Sequence, residues 1–301
     1  MNIQKLKKKM LPYQLIAPAI IIMAVFVYYP VIQNIYLSLF RWSAIDPSMR
    51  FIGLENYFRI LGDRIVGVAL RNNVLYAVIS VIFQVGVSLI LAAIIEAKIL
   101  RPRWATFFRN TLFTPAVLAI TVVGITFQLI YSPNTGLINQ LLEVIGLENL
   151  RHAWLGEEST AIYSIIAVSQ WQWVGYDMIL FIVAIQAIPE ELYEAASIDG
   201  ANGIQQFFHV TIPMVWETIL VLMTITVIGG FKVFDIIWVM TAGGPNHASE
   251  TLGNYLYRVG FRNDEMGYAA ALATVLFVIT LLLTVVQQRI GKSGSEALNE
   301  G

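Results

Sequence analysis

The segment AIPEELYEAASIDGANGIQQFFHVTIP, residues 187–213, separates two long apolar stretches of the chain. Pro189 suits the first turn of a helix, and the two glutamates that follow it stand where the helix dipole favours negative charge. Gly200 can end that helix in a left-handed conformation. A second short helix is predicted at about 203–210, and Pro213 is predicted to begin the next apolar helix. The segment is therefore predicted to be an ordered helix–turn–helix.

Six apolar stretches flank this segment and are long enough to cross a membrane, since a spanning helix needs about 20 apolar residues. Of the 301 residues, 57% are hydrophobic and only 13% are charged, and the mean hydropathy is +0.68. The predicted fold class is therefore all-α, a polytopic membrane protein with six transmembrane helices. The connecting loops are too short for an independent domain, which predicts a single transmembrane domain over residues 1–301. The predicted spans are about 13–40, 68–95, 105–131, 161–187, 215–241 and 267–288.

Basic residues beside the apolar stretches predict the orientation. Lys5, Lys7, Lys8 and Lys9 precede the first stretch, and such clusters stay in the cytoplasm. Six spans then place both the N- and the C-terminus in the cytoplasm, together with the segment 188–213. The net charge of −1 provides no overall field to attract nucleic acid, so we expect membrane lipid and no nucleic acid around the chain.

The charge of this cytoplasmic segment is unusual for its location. It holds four acidic residues and no lysine or arginine, and anionic lipid repels such a segment. We therefore expect it to project towards a protein partner, and the small residues Ala195 and Ala196 allow a close approach. An ordinary capped connecting helix explains the same residues equally well. The acidic residues are Glu190, Glu191, Glu194 and Asp199.

The same residues resemble a motif of a known transporter family. Glu194-Ala195-Ala196, with Gly200 four residues after Ala196 and Ile212-Pro213 beyond it, is similar to the EAA motif of ABC importer permeases. Residues 187–213 and 241–245 also resemble the maltose and glycerol-phosphate branch of that family, and the resemblance covers about residues 70–290. In the family the motif forms a coupling helix that docks into the ATPase. The positions that match here are Glu194, Ala195, Ala196, Asp199, Gly200 and Pro213.

The resemblance also implies an assembly. It predicts a permease subunit of an ABC importer in the prokaryotic cytoplasmic (inner) membrane, forming half of the translocation pathway for a sugar or sugar-like solute. The implied partners are a second permease subunit in a heterodimer, a dimer of ATP-binding subunits and an extracytoplasmic solute-binding protein. The large periplasmic insertion of the maltose permease has no counterpart in this sequence, which predicts a compact version of the fold.

The fourth predicted span is unusually polar and aromatic, and it supplies the candidate substrate pathway. An ionisable residue near the middle of a membrane is a functional candidate, and aromatic faces with amide and carboxylate groups suit a sugar. The alternative is that these polar groups bond neighbouring helices or the second permease. In the maltose permease the corresponding part of this span lines the sugar site. The candidates are Ser169, Gln170, Trp173, Tyr176 and Asp177, joined by Gly229 and Gly230 of the fifth span.

The two glycines of the fifth span leave room for a ligand or for a tight helix contact. Farther along that span, Lys232 and Asp235 are three residues apart and predict an ion pair within one helix.

No catalytic chemistry is evident in the sequence. Gly291-Lys292-Ser293 resembles the end of a P-loop, but Val286 occupies the position of the first glycine, so ATP hydrolysis must reside on another subunit. No metal-ligand cluster is present, and we predict neither a cofactor nor a metal, and no enzyme activity of the chain by itself. The alternative function is a small secondary carrier with Asp177 as its coupling site. Such carriers usually contain internal repeats, and the two halves of this sequence show none.

Overall fold

The structure, a computed structural model, describes residue 13 and residues 15–46, 48–97 and 101–299, with side chains through Arg289. The cluster Lys5, Lys7, Lys8 and Lys9 and the side chains of residues 291–293 lie outside the described residues. The cytoplasmic position of the two termini therefore stays a prediction.

The described chain is mostly helical, as the composition predicts. Its two strands, β1 (Phe40–Arg41) and β2 (Arg50–Phe51), form one short antiparallel pair with Phe40 opposite Phe51. The helices are α1 (Leu15–Leu37), α2 (Glu55–Gly62), α3 (Arg64–Glu96), α4 (Pro102–Val117), α5 (Ile120–Ile130), α6 (Leu137–Val144), α7 (Ala161–Gln186), α8 (Glu190–Ile198), α9 (Gly203–Met214), α10 (Trp216–Lys232), α11 (Asp235–Met240), α12 (Leu252–Tyr257) and α13 (Met266–Asn299).

Four of the helices are long and apolar enough to cross a membrane by themselves: α1, α3, α7 and the part of α13 up to Arg289. Two further crossings arise only if bent pairs are counted. Helices α4 and α5 form one pair with a bend of 99°, and α9 and α10 form the other with a bend of 71°. Four of the predicted spans therefore correspond to continuous helices and the third to the pair α4 and α5. The fifth, predicted at about 215–241, covers α10 of the second pair and α11 beyond it.

The relative direction of α3 and α7 shows that the first bent pair makes a single crossing. The hydroxyl of Tyr76 donates to Ser169 Oγ at 2.6 Å, and farther along both helices Gln186 Nε2 donates to Glu96 Oε2 at 3.1 Å. Later residues of α3 thus meet later residues of α7, so the two helices are parallel. The chain between the end of α3 and the start of α7 must therefore cross back once to the side where α3 begins. Helices α4 and α5 together make that crossing.

Proline chemistry explains the bend in this pair. Pro115 has no N–H to continue the α-helical ladder, and the chain tightens into the 3-10 turn Thr114–Val117. Leu118 and Ala119 are then extended before α5 begins. The bend leaves the carbonyl of Leu118 outside the helical ladder, where Gln172 Nε2 of α7 donates to it at 3.1 Å. The side chain of Gln172 therefore satisfies a backbone carbonyl that the bend leaves without a helical partner.

The fifth predicted span is also interrupted. Helix α10 ends at Lys232 and α11 begins at Asp235. The prediction of an ion pair within one helix is therefore wrong. The carbonyls left without helical partners in the last turn of α10 are satisfied from other segments. Asn73 Nδ2 donates to two of them at 2.8 and 3.1 Å, and Thr251 Oγ1 donates to the carbonyl of Val233 at 3.1 Å.

The chain divides into two compact units. The first comprises Met1–Asp63 and Leu256–Val275. Within it, Asn34 of α1 donates to the carbonyl of Ala270 and to Thr274 Oγ1, both at 3.1 Å, which ties α1 to α13. The carboxylate of Asp264 accepts hydrogen bonds from the hydroxyl of Ser43 and from the backbone N–H groups of Ala44 and Ile45.

The second unit comprises Arg64–Tyr255 and Leu276–Gly301 and contains both candidate sites. One apolar cluster fills the end nearest α8, around Met178 and Phe181 of α7. Another fills the opposite end, around Ile165 of the same helix. The prediction that residues 1–301 form a single transmembrane domain stays a prediction.

Candidate functional site

Helix α8 has the terminal chemistry that its sequence predicts. Pro189 is the N-cap residue, and two glutamates occupy the first turn. At the other end Asp199 is the C-cap residue and Gly200 has φ +81°, the left-handed conformation expected of it. The N–H of Ala201 donates to the carbonyl of Ala196 at 2.9 Å, which closes the terminal turn. Local sequence signals alone therefore define the bounds of this helix.

The matching positions of the EAA motif lie on two different surfaces. Glu194 and Ala195 are exposed on the outside of α8. Ala196, Asp199 and Gly200 line a shallow notch of about 230 Å³ between α8 and α9. Large apolar side chains of α8 and α9 are also exposed, which is typical of a protein-binding surface. They include Leu192, Ile198 (87% exposed), Ile204 and Phe208.

Two hydrogen bonds attach α8 to α9. The hydroxyls of Tyr193 and Thr211 are 2.9 Å apart, and Gln206 Nε2 donates to Ser197 Oγ at 2.8 Å. A capping box at Asn202 begins α9. Pro213 lies near the end of α9, and the next long helix begins only at Trp216, so the prediction that Pro213 begins the fifth span is wrong. The reason is that the chain bends between α9 and α10, after the proline.

The polar residues of α7 divide into two groups, of which the first bonds a neighbouring helix. Ser169 is buried and accepts the hydrogen bond from the hydroxyl of Tyr76. Gln170 is buried as well, and its Nε2 donates to Ser80 Oγ at 3.1 Å and to the carbonyl of Ile166. Both side chains therefore join α7 to α3, as the structural alternative for these residues predicts.

The second group makes no hydrogen bond with a neighbouring helix among the described residues. The rings of Trp173 and Tyr176 pack edge to face with 6.0 Å between centroids, and Tyr176 is 43% exposed. Asp177 follows directly and is only 7% exposed. Its carboxylate makes no hydrogen bond or ion pair with any residue that the structure describes. An aromatic pair thus lies beside a buried carboxylate whose bonding capacity is unused.

The two candidate glycines of α10 have different surroundings. A β-carbon on Gly230 would lie 2.8 Å from the Cα of Ala77, so this glycine permits the close crossing of α10 and α3. A β-carbon on Gly229 would have no atom within 4 Å, and this glycine is exposed. Only Gly229 leaves open space beside the helix.

A buried polar stripe along α3 escaped the sequence analysis. Its members recur at every fourth residue, although the long apolar stretch that contains them hides the pattern in the overall hydropathy. On a straight α-helix this spacing drifts by about 40° per step. The π-helical segment Val81–Val87 turns more widely and keeps the later members on the buried side. The four-residue period was the available signal, and the stripe consists of Asn72, Tyr76, Ser80, Gln84 and Ser88.

This stripe holds the interior of the second unit together. Its members bond α7 at Ser169, Gln170 and the carbonyl of Val174. At the far end, Asn72 Nδ2 donates to the carbonyls of Ala248 and Glu250, both at 2.8 Å, and so holds the loop after α11. These bonds of the stripe therefore serve helix packing and hold the loop after α11.

Comparison with known proteins identifies what this arrangement is similar to. Residues 100–293 match the family described as "Binding-protein-dependent transport system inner membrane component". The chain is 50% identical over 290 residues to "Probable ABC transporter permease protein YurN" of Bacillus subtilis, covering 96% of this chain and 99% of the relative. It is 36% identical to "Arabinooligosaccharides transport system permease protein AraP" of Halalkalibacterium halodurans, covering 93% and 87%.

A solved structure agrees in fold. A chain of the "bacterial alginate ABC transporter in complex with alginate pentasaccharide-bound periplasmic protein" superposes with a TM-score of 0.85 over 97% of each chain, at 23% sequence identity. At that identity the likeness concerns the fold alone. It confirms the all-α membrane fold class.

Proposed function

Because the chain belongs to the family of binding-protein-dependent transport system inner membrane components, and is an ABC transporter permease rather than an enzyme, we propose that it forms half of the pathway for a sugar or sugar-like solute. The EAA resemblance in the sequence is thereby confirmed at the level of the family. Family membership also decides against a small secondary carrier with Asp177 as its coupling site. The name of the relative from Halalkalibacterium supports the choice of an oligosaccharide-type solute.

The pair of Trp173 and Tyr176 beside Asp177 carries the proposal for the pathway. Aromatic rings offer apolar faces to the C–H groups of a sugar, and Tyr176 adds a hydroxyl. A buried carboxylate without a partner is costly, and sugar hydroxyls can donate hydrogen bonds to it. Ser169 and Gln170 hold α7 against α3, Gly230 lets α10 approach α3, and Gly229 leaves open space beside α10.

The surface of α8 supports a separate ATPase as partner. Its acidic side chains, its small residues and the exposed Ile198 and Leu192 form a projecting contact surface with little attraction to anionic lipid. We therefore assign ATPase coupling to Glu194, Ala195, Ala196, Asp199 and Gly200, with Pro213 at the junction to the next span. In this proposal α8 lies in the cytoplasm, both termini lie on the same side, and the membrane is the prokaryotic inner membrane.

The complete transporter in this proposal contains four kinds of component. The family name itself includes a binding protein, and we propose a solute-binding protein outside the membrane, a dimer of ATP-binding subunits inside it and a second, related permease in a heterodimer. One chain contributes up to six crossings, which is half of a pathway between two permeases.

The test is to purify the complex with its binding protein and to measure which solutes stimulate ATP hydrolysis and are taken up by proteoliposomes. We expect a sugar or oligosaccharide to stimulate both. Stimulation by amino acids or ions alone would contradict the substrate class. Full uptake by this chain with the ATPase and the binding protein, but without a second permease, would contradict the heterodimer.

A further inference from the structure

One ion pair joins three helices at the end of the second unit that carries α8. Glu96 is the last residue of α3, and its carboxylate pairs with the guanidinium of Arg109 in α4. The other carboxylate oxygen accepts from Gln186 Nε2, the last residue of α7, at 3.1 Å. The Glu96 and Arg109 side chains are 17% and 31% exposed, so the pair is largely shielded from water.

This ion pair borders the space beneath α8. Glu96 and Gln186 line a cavity of about 480 Å³ whose other walls include Tyr193 of α8 and Thr211 of α9. Because of this cavity, direct packing of α8 against the ends of α3 and α7 is incomplete. The chain from Gln186 to the start of α8 is only three residues long. A displacement of α8 therefore pulls directly on Gln186, and through it on Glu96.

We infer that Glu96 is a positioning residue for energy coupling: its carboxylate joins the ends of α3 and α7 to the middle of α4, so that the three helices move with α8. The inference rests on the proposed function, in which α8 receives the movement of the ATPase. Without the carboxylate, α7 would follow α8 while α3 and α4 lagged behind. ATP would still be hydrolysed, but fewer solute molecules would cross for each ATP.

The competing role is that of a structural ion pair, which merely stabilises the fold. Loss of a structural ion pair would affect assembly and thermal stability. A coupling residue matters for the ratio of solute transported to ATP hydrolysed, in a complex that assembles normally.

The experiment uses the complete transporter in proteoliposomes and measures ATPase retention, thermal stability, and uptake and ATP hydrolysis with solute-loaded binding protein. Glu96→Gln keeps an acceptor for Gln186 but removes the charge that pairs with Arg109, and Arg109→Gln removes the other charge. The double variant Glu96→Arg with Arg109→Glu restores opposite charges. Glu143→Gln is the matched control, because Glu143 pairs with Arg151 at 2.9 Å on an exposed surface.

We expect both single variants to retain the ATPase and to lower the transport-to-ATP ratio about fivefold or more, within the usual range of coupling energies. The double variant should recover part of that loss, and Glu143→Gln should match the wild type. A wild-type ratio in both single variants, or a loss confined to assembly and stability, would overturn the inference. A wild-type complex without ATP-dependent uptake of any sugar would instead contradict the proposed function, so the two failures are distinguishable.

Discussion

Gly175 of α7 lies so close to Leu112 of α4 that a β-carbon on the glycine would be 1.8 Å from the carbonyl oxygen of Leu112. The atom in the way is backbone, so it cannot move aside as a flexible side chain would. This contact holds the end of α4 against the middle of α7, just before the bend at Pro115. The bent third span therefore depends on the absence of a single side chain.

The first prediction follows from this contact. Gly175→Ala should separate α7 from α4 and destabilise the protein by about 1–3 kcal/mol, the usual cost of overpacking. Thermal unfolding of the detergent-purified protein measures the change. Gly67→Ala in α3 is the control, because a β-carbon there meets no atom within 4 Å. Equal melting temperatures for Gly175→Ala and wild type would contradict the close contact.

The second prediction concerns the exposed surface of α8. Ala195→Asp should leave folding nearly unchanged, within about 0.5 kcal/mol, because surface substitutions away from special features have small effects. If this surface docks closely into the ATPase, the new charge is buried without a partner, which should weaken docking and abolish uptake. Pull-down of the ATPase and solute uptake measure both effects, and Ala195→Ser is the matched small substitution. Normal ATPase retention and uptake in Ala195→Asp would mean that α8 is a connector only.

The third prediction concerns the end of the same helix. Gly200 has φ +81°, and no atom lies near the position of its missing β-carbon, so conformation alone requires glycine there. Gly200→Val should strain the turn by about 1–2 kcal/mol, weaken ATPase docking and abolish uptake, whereas the affinity of the binding protein for the solute stays unchanged. Asparagine tolerates this conformation, so Gly200→Asn should retain substantial uptake. Loss of uptake in Gly200→Asn but not in Gly200→Val would refute the conformational explanation.

The fourth prediction tests the pathway. Tyr176→Ala and Asp177→Asn should each weaken solute-stimulated uptake, by about tenfold if one hydrogen bond or stacking contact of about 1.4 kcal/mol is lost. Assembly should be retained because Asp177 bonds no residue that the structure describes. Trp171→Ala provides a comparison, since that ring packs on Phe127, with 5.1 Å between centroids, rather than on Tyr176. Wild-type uptake in both pathway variants would show that neither residue lines the pathway. Failed assembly would favour a contact with the second permease.

The fifth prediction concerns pH and the first unit. Hydrogen bonds from Ser43 and from the backbone of Ala44 and Ile45 lower the pKa of Asp264 below its usual value, despite some opposing burial. The folded state thus favours the ionised form, so this contribution to stability is full above the unfolded pKa of about 4 and is lost as the pH falls through the lower folded value. Asp264→Asn should therefore lower the melting temperature at pH 7 and have a smaller effect at acidic pH.

Wild type and Asp264→Asn should be compared by thermal unfolding across this pH range. Asp46→Asn belongs in the same series, because hydrogen bonds from Ser48 lower the pKa of Asp46 as well. The negative charge of Asp264 opposes this lowering, so the two carboxylates affect each other. An effect of Asp264→Asn that grows as the pH falls would contradict the assigned sign.

Features that depend on neighbours in the chain were predictable from sequence. The apolar stretches predicted the helical membrane fold, and Pro189 and Gly200 marked the ends of α8. Each of these signals acts through the backbone of the adjacent turn or through the length of one apolar run. The spacing of the EAA residues likewise identified the family before any contact was known.

The sequence by itself therefore determined the fold class, the family and the bounds of α8, because local conformation and hydropathy are properties of consecutive residues. Only the tertiary structure decided which polar side chains of α7 bond a neighbouring helix and which do not. Ser169 and Gln170 bond α3 whereas Asp177 does not, and Gly230 contacts Ala77 whereas Gly229 faces open space. The physical reason is that a polar side chain in a membrane helix takes whichever partner the neighbouring helix offers. The partners of Ser169 and Gln170 lie 93 and 90 residues away in the chain.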